Sequence, residues 1–185
     1  MCWDIKEKKL KAFGIIDDNT FTFELEQKDE DGIGKRIILY INLEFDSSFK
    51  PNQQSKCISY NSKNGNIAIG TNAGKISIRE SIENLNKRVT KDIFFEENVQ
   101  IYEISFSPGE NSFLAVGTSK GDVFILSVFN SYCIYKAVKG LFASPIKNID
   151  WDQNSEFIQI CSKTIDYGFV NIALGRAVDG IYFQF

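Results

Sequence analysis

Lysines and aspartates are the side chains whose types and spacing could do chemistry in this sequence. Lys6, Lys8, Lys9 and Lys11 fall together in KEKKLK, Lys35-Arg36 and Lys87-Arg88 make two further basic pairs, and Lys120 sits in the turn TSKGD. Clustered ammonium groups attract acidic surfaces through a force that salt weakens. Polar turns between strands are also lysine-rich without binding anything, so KEKKLK reads equally as a turn. Asp150, Asp152 and Asp166 are carboxylates that acid–base catalysis could use. Asp150 and Asp166 have the simpler role of hydrogen-bonding turns and backbone amides.

The sequence contains no histidine, which removes the commonest general base, every Ser/Cys–His triad and the mixed Cys/His zinc sites. GIGKR (Gly32 to Arg36) lacks the spacing of a phosphate-binding loop and reads as a hairpin turn. No catalytic residue, cofactor or metal is expected, and the chain is read as a binding protein rather than an enzyme.

The 185 residues fit one domain, with 43% hydrophobic, 14% aromatic and 24% charged residues and a net charge of −3. A slightly acidic chain lacks the basic footprint of a nucleic-acid binder. No apolar run approaches the roughly 20 residues of a membrane helix, and MCWDIKEKK lacks the apolar core of a signal peptide. Cys2, Cys57, Cys133 and Cys161 are widely spaced, as reduced and mostly buried thiols would be. The expectation is a cytoplasmic protein with neither a membrane nor a nucleic-acid partner.

The elements that must hold these side chains are short strands that repeat. FLAVGTSKGDVFIL (Phe113 to Leu126) rewrites IAIGTNAGKISI (Ile67 to Ile78), with Gly117 over Gly70 and Gly121 over Gly74, 47 residues apart in both cases. CISYNSKNG (Cys57 to Gly65) lies over YEISFSPGE (Tyr102 to Glu110), and a third copy runs through IKNIDWDQNSEFIQICS (Ile146 to Ser162). Short strands with a period near 45 residues predict β-propeller blades, one four-stranded antiparallel sheet per repeat. Phe106, Phe113, Phe124, Trp151, Phe157 and Phe169 lie on predicted strands and are expected to pack between blades.

Trp3-Asp4 is the dipeptide for which WD40 repeats are named, here placed at the end of a blade's third strand. Arg79-Glu80, Leu126-Ser127 and Ile172-Ala173 hold its place later, and Gly140-Leu141 holds that of the usual glycine-histidine. The blades are therefore degenerate and held mainly by packing. The run ISFSPGENSFLAVGTSKGDVFIL, followed by SYCIYKAVKG, SPIKNIDW and IDYGFVNI, resembles the second WD40 propeller of the echinoderm microtubule-associated protein-like (EMAP-like) family. Ser107-Pro108, Leu114 to Thr118, Asp150-Trp151 and Asp166-Tyr167 carry that likeness. It implies an all-β, partial WD40 propeller in the cytoplasm and cytoskeleton. Its implied partner is tubulin or a microtubule, with Lys6, Lys8, Lys9, Lys11 and Lys120 as partner-binding residues. A general WD40 scaffold in another multiprotein complex is the alternative.

The expected organisation is a blade remnant over 1–14, an inserted hairpin over 15–50, blades over 51–95, 96–139 and 140–174, and an unassigned tail over 175–185. About three blades and a remnant are fewer than the 4–8 that close a propeller, so further blades from a parent chain or partner are expected to complete it.

Overall fold

In the computed structural model the apolar runs of the described residues settle into sixteen strands. The structure describes residues 2–6, 9–16, 19–28 and 36–40 as backbone strands. It further describes residues 54–61, 63–79, 89–96, 98–108 and 113–178, with side chains at all of these but 89 and 90. β1 (Cys2–Lys6), β2 (Lys9–Ile16), β3 (Asn19–Lys28) and β4 (Arg36–Tyr40) form a first sheet. β5 (Ser55–Tyr60), β6 (Ile67–Thr71), β7 (Lys75–Arg79) and β8 (Val89–Phe94) form a second. β9 (Ile101–Phe106), β10 (Phe113–Thr118), β11 (Val123–Ser127) and β12 (Cys133–Val138) form a third. β13 (Ile146–Trp151), β14 (Phe157–Ser162), β15 (Tyr167–Asn171) and β16 (Arg176–Val178) form a fourth. Each sheet is an antiparallel meander in chain order. The first strands of successive sheets lie against one another, β1 on β5, β5 on β9 and β9 on β13, as blades set around a common axis require.

Two of the expected divisions differ from this pairing. The remnant over 1–14 and the hairpin over 15–50 share one sheet, because β2 runs across the boundary and is paired along both edges, to β1 and to β3. Trp3-Asp4 accordingly sits in the first strand of its sheet, whereas Arg79 and Leu126-Ser127 sit in third strands. The tail expected over 175–185 begins with β16, which pairs with β15 and gives the fourth sheet its outer strand.

Strand periodicity assigns the core. Leu114, Val116, Phe124 and Leu126 of the third sheet face the second, packing with Cys57, Ala68, Ile76 and Ile78. Their neighbours Ala115, Val123 and Ile125 face the fourth, packing with Ile146, Ile149, Ile158 and Ile160. The third sheet is thus buried on both faces, which is why its central strands read as continuous apolar runs. Of the aromatics expected between blades, Phe124 is buried, while Phe106, Phe113 and Trp151 pack half-buried on these clusters. Phe157 and Phe169 are half-buried on the fourth sheet. Trp151 also stacks on Phe113 and donates its indole N–H to the Ser105 carbonyl at 3.0 Å, tying the fourth sheet to the third.

The repeated glycines do two separate jobs. A Cβ at Gly70 would stand 2.6 Å from Ile101 Cγ2, and one at Gly117 would stand 2.5 Å from Ile146 Cγ2, so each is a seat for the next sheet's first strand. Gly74 and Gly121 adopt φ of +70° and +76° in the turns between second and third strands. Their carbonyls accept the backbone N–H of Phe95 and Phe142 from the crossover to the next sheet. A Cβ at Gly121 would fall on the Phe142 carbonyl oxygen.

Polar side chains repeat on the same period. Thr71, Thr118 and Ser162 end the second strands, and each hydroxyl accepts backbone N–H groups of the turn that follows. Asn61, Ser107 and Asp152 end the first strands, are buried, and accept N–H groups of the first turns. This satisfies turn amides that burial would otherwise leave unpaired.

Candidate protein-binding face

Each sheet has two ends. The second turns and the crossovers share one of them, sewn together by paired backbone and side-chain bonds. Asn72 N–H donates to the Gln54 carbonyl at 3.0 Å, Ser119 N–H to Gln100 at 2.9 Å, and Lys163 N–H to Pro145 at 2.8 Å. Just inside this end, each first strand of the last three sheets carries a one-residue bulge. Lys56, Tyr102 and Lys147 are skipped in the registers of β5 with β6, β9 with β10, and β13 with β14. Bulges re-aim side chains at strand ends.

A slot of about 290 Å³ opens at this end between the second and third sheets, with walls including Phe94, Phe95, Val99, Phe124, Ile134 and Ala137. The Phe95 and Phe124 rings meet at 5.0 Å between centroids. Phe94 and Ile134 are 69% and 56% exposed, so the mouth is apolar surface in contact with water. One rim is charged: Lys139 bridges Glu96 at 3.1 Å and Lys120 approaches the same carboxylate at 3.7 Å. The Lys139 hydrogen bond and charge hold the Glu96 carboxyl below its usual range. Nearer the opposite end of the sheets Lys91 donates to the Ser131 carbonyl, a second contact between the second and third sheets.

Lys120 of the expected site therefore lies on this face, exposed and facing Glu96. Lys8 lies outside the described residues, as do the side chains of Lys6, Lys9 and Lys11. By backbone register Lys6 pairs with Lys9, which places KEKKLK at the first turn of its sheet, a different turn class from that of Lys120. The structure does not bring the two together. Sequence reasoning missed Lys139, Glu96 and the aromatic slot. Phe94-Phe95 just ahead of Glu96 was a signal, since two adjacent aromatics at a strand's end cannot both face the core: Phe95 packs on it and Phe94 is left outside.

The three aspartates have separate roles. Asp152 caps the first turn of the fourth sheet through Glu156 and Phe157 N–H, both at 2.8 Å. Asp166 accepts the Thr164 hydroxyl at 2.6 Å within the second turn. Asp150, expected to bond turns and amides, is exposed and holds the Asn148 side chain instead. Glu103 on β9 is the carboxyl with the largest upward displacement: burial, aided by the Asp150 charge, pushes it up to about 7. Among the described residues there is no group of three or more metal-ligating side chains, and no helix long and apolar enough to cross a membrane. Of the described cysteines Cys57 is buried, with burial pushing its thiol up, Cys161 is half-buried and Cys133 is exposed on β12.

No protein-family model matches the chain. It is 26% identical over 160 residues to the ciliary WD repeat-containing protein ctxp80 of Euplotoides octocarinatus, a match covering 85% of this chain and 19% of that protein. The chain thus spans about a fifth of that relative's length. A chain in a crystal structure of the mitotic checkpoint complex superposes with a TM-score of 0.69 at 8% identity, covering 98% of this chain and 50% of that one. Taken with the four meandering sheets and their shared inner strands, these likenesses give the chain its architecture: it is all-β and has the fold of a partial WD40-type β-propeller.

Proposed function

We propose that this chain is a non-catalytic, WD-repeat-type platform for protein partners, acting in the cytoplasm at the microtubule cytoskeleton. It would form one part of a propeller that further blades complete. The observation that carries the platform reading is the end of the sheets just described, where exposed lysines on the loops border an apolar slot between two sheets that hold it in place. The microtubule assignment draws on the EMAP-like resemblance and on the ciliary description of the relative, since a cilium is built on microtubules. An acidic microtubule surface suits Lys120 and, as a second patch, Lys6, Lys8, Lys9 and Lys11. The alternative, a scaffold for a different protein complex, is favoured by the fold match to a chain in a multiprotein assembly.

Co-sedimentation of the folded chain with polymerised tubulin over a salt series decides between the two. Saturable pelleting that weakens as salt rises is the expected result. A folded chain that stays in the supernatant at every salt concentration favours the scaffold.

A further inference from the structure

Charge is unevenly divided between the two ends of the sheets. Among the described residues, Lys56, Lys120, Lys139, Lys147 and Lys163 are all exposed at the end that carries the second turns and crossovers. Glu96, Asp122 and Asp166 are the carboxylates that the described residues set in those same loops, and each is already engaged: Glu96 by two lysines, Asp122 by Gly140 N–H, and Asp166 by Thr164. Among the described residues the opposite end has Lys63, Arg176 and the buried Arg79 against the buried Asp152 and exposed Glu156, so only two exposed cations lie there against five. An end richer in lysine is the reverse of a chain whose net charge is −3.

The apolar slot lies within this lysine-rich end. It is bounded along its length by two outer strands, β8 and β12, and at its charged rim by the Lys139–Glu96 contact. Its volume of about 290 Å³ is that of a small pocket, enough for one large side chain and too small for a helix. Among the described residues both neighbouring outer strands are last in their sheets, so an extended segment has backbone groups to meet.

We propose that this end binds an extended acidic polypeptide segment that seats one bulky apolar side chain between Phe94, Phe95, Phe124 and Ile134. Its carboxylates meet Lys120 and Lys139 at the rim, with Lys56, Lys147 and Lys163 extending the positive field along the inner strands and turns. This assignment rests on the platform reading and names the chemistry of the partner and the place it docks.

The test uses the whole chain and a short fluorescent peptide rich in glutamate around a single central phenylalanine. Binding by fluorescence anisotropy is expected at low salt, weakening by about tenfold or more toward physiological salt. Changing the peptide's phenylalanine to serine is expected to weaken it about tenfold, as is Ile134→Glu or Lys139→Glu in the protein, whereas Lys63→Glu at the opposite end leaves it unchanged. Ile134 and Lys139 are exposed, and circular dichroism confirms that each variant is folded.

Absence of binding overturns the proposal, and so does equal binding of the serine peptide, tighter binding of a lysine-rich counterpart, or indifference to both slot variants. Microtubule pelleting separates the two readings. If Ile134→Glu and Lys139→Glu pellet like the unmodified chain, the platform stands and this docking place is wrong. If the peptide binds as described but the unmodified chain never pellets, the docking place stands and the microtubule assignment falls.

Discussion

At the end that carries the second turns, the groove between the second and third sheets is open and its counterpart between the third and fourth is filled; the latter opens instead at the other end, as a space of about 430 Å³ between Phe113, Tyr135 and Asn171. Both start from the same parts. Phe95 and Phe142 each donate a backbone N–H to the glycine of the second turn, and each brings an aromatic side chain to the groove. The position opposite differs, being Phe124 on β11 and Gly168 on β15. A Cβ at Gly168 would already stand 3.0 Å from Phe142 Cζ and 3.8 Å from Leu141 Cδ1, so those side chains fill the space that glycine vacates. In the other groove Phe124 occupies that space, Phe95 is held off at ring contact, and Phe94 turns outward. Swapping a large residue for a small one at one strand position therefore decides whether this end of a blade junction is filled or presents an apolar pocket, while the backbone devices stay the same.

Breaking the shared device has the largest expected effect. Gly121→Ala puts a methyl group onto the Phe142 carbonyl in a backbone conformation that alanine disfavours. Left-handed strain and overpacking together are expected to cost about 2–5 kcal/mol, read as a lower denaturant midpoint. Gly140 has a similar φ of +63° but nothing within 4 Å of its Cβ position. Gly140→Ala is therefore expected to lose only about 1 kcal/mol, the conformational part alone. Equal losses in the two variants would mean that close approach of the crossover contributes nothing, and that the junctions are held by side-chain packing only.

Much of this architecture is legible in the sequence, and the parts that are not share a physical cause. Gly70, Gly74, Gly117 and Gly121 show the repeat because two unrelated constraints, a close approach and a left-handed turn, both demand glycine. Thr71, Thr118 and Ser162 hide in plain view, as do Asn61, Ser107 and Asp152. They recur on the same period, but hydrogen bonding selects an oxygen acceptor rather than one residue type, so identity matching passes over them. The unity of the first sheet rests on β2 pairing along both edges, and such pairing leaves no mark in the sequence comparable to Trp3-Asp4. The slot has no local signature, since it depends on how Phe94, Phe95 and Phe124 share one space across two sheets. KEKKLK and Lys120 were readable as basic residues, but which turn class each occupies is a matter of topology.

Glu103 sharpens the comparison from the inner edge, where β9 lies between β5 and β13 and belongs to both junctions. Burial, with the Asp150 charge adding to it, raises this carboxyl from an ordinary 4.5 to about 7. The folded chain therefore keeps a proton that the unfolded chain gives up between those values. The resulting stability is fully present below the lower value and is lost as pH rises through the upper one. Glu103→Gln keeps the shape and removes the titration, so it is expected to be more stable than the unmodified chain at neutral to alkaline pH. After discounting for partial exposure, the gain is on the order of 1–2 kcal/mol. Parallel pH profiles of denaturation for the two proteins would show that Glu103 is not the titrating group.

Ile165 gives the smallest and most local test. It occupies the turn position of Gly74 and Gly121, with φ of +68° beside their +70° and +76°, and it is 71% exposed. A β-branched residue in the left-handed region is strained by about 1–2 kcal/mol. Nothing in its own turn explains that cost, because Ser162 and Asp166 already supply the hydrogen bonds. At Gly74 and Gly121 a crossover lies over the turn and excludes a side chain, whereas among the described residues no crossover lies over Ile165. Ile165→Gly is therefore expected to relieve the strain and, after the extra chain entropy glycine brings to the unfolded state, to raise stability by about 0.5–1 kcal/mol. For a domain of this size that is a rise in Tm of about 1–4 °C. A fall in Tm would show that the isoleucine side chain is held by an apolar contact, which would make this turn, unlike its two counterparts, a place where the blade needs a side chain rather than a gap.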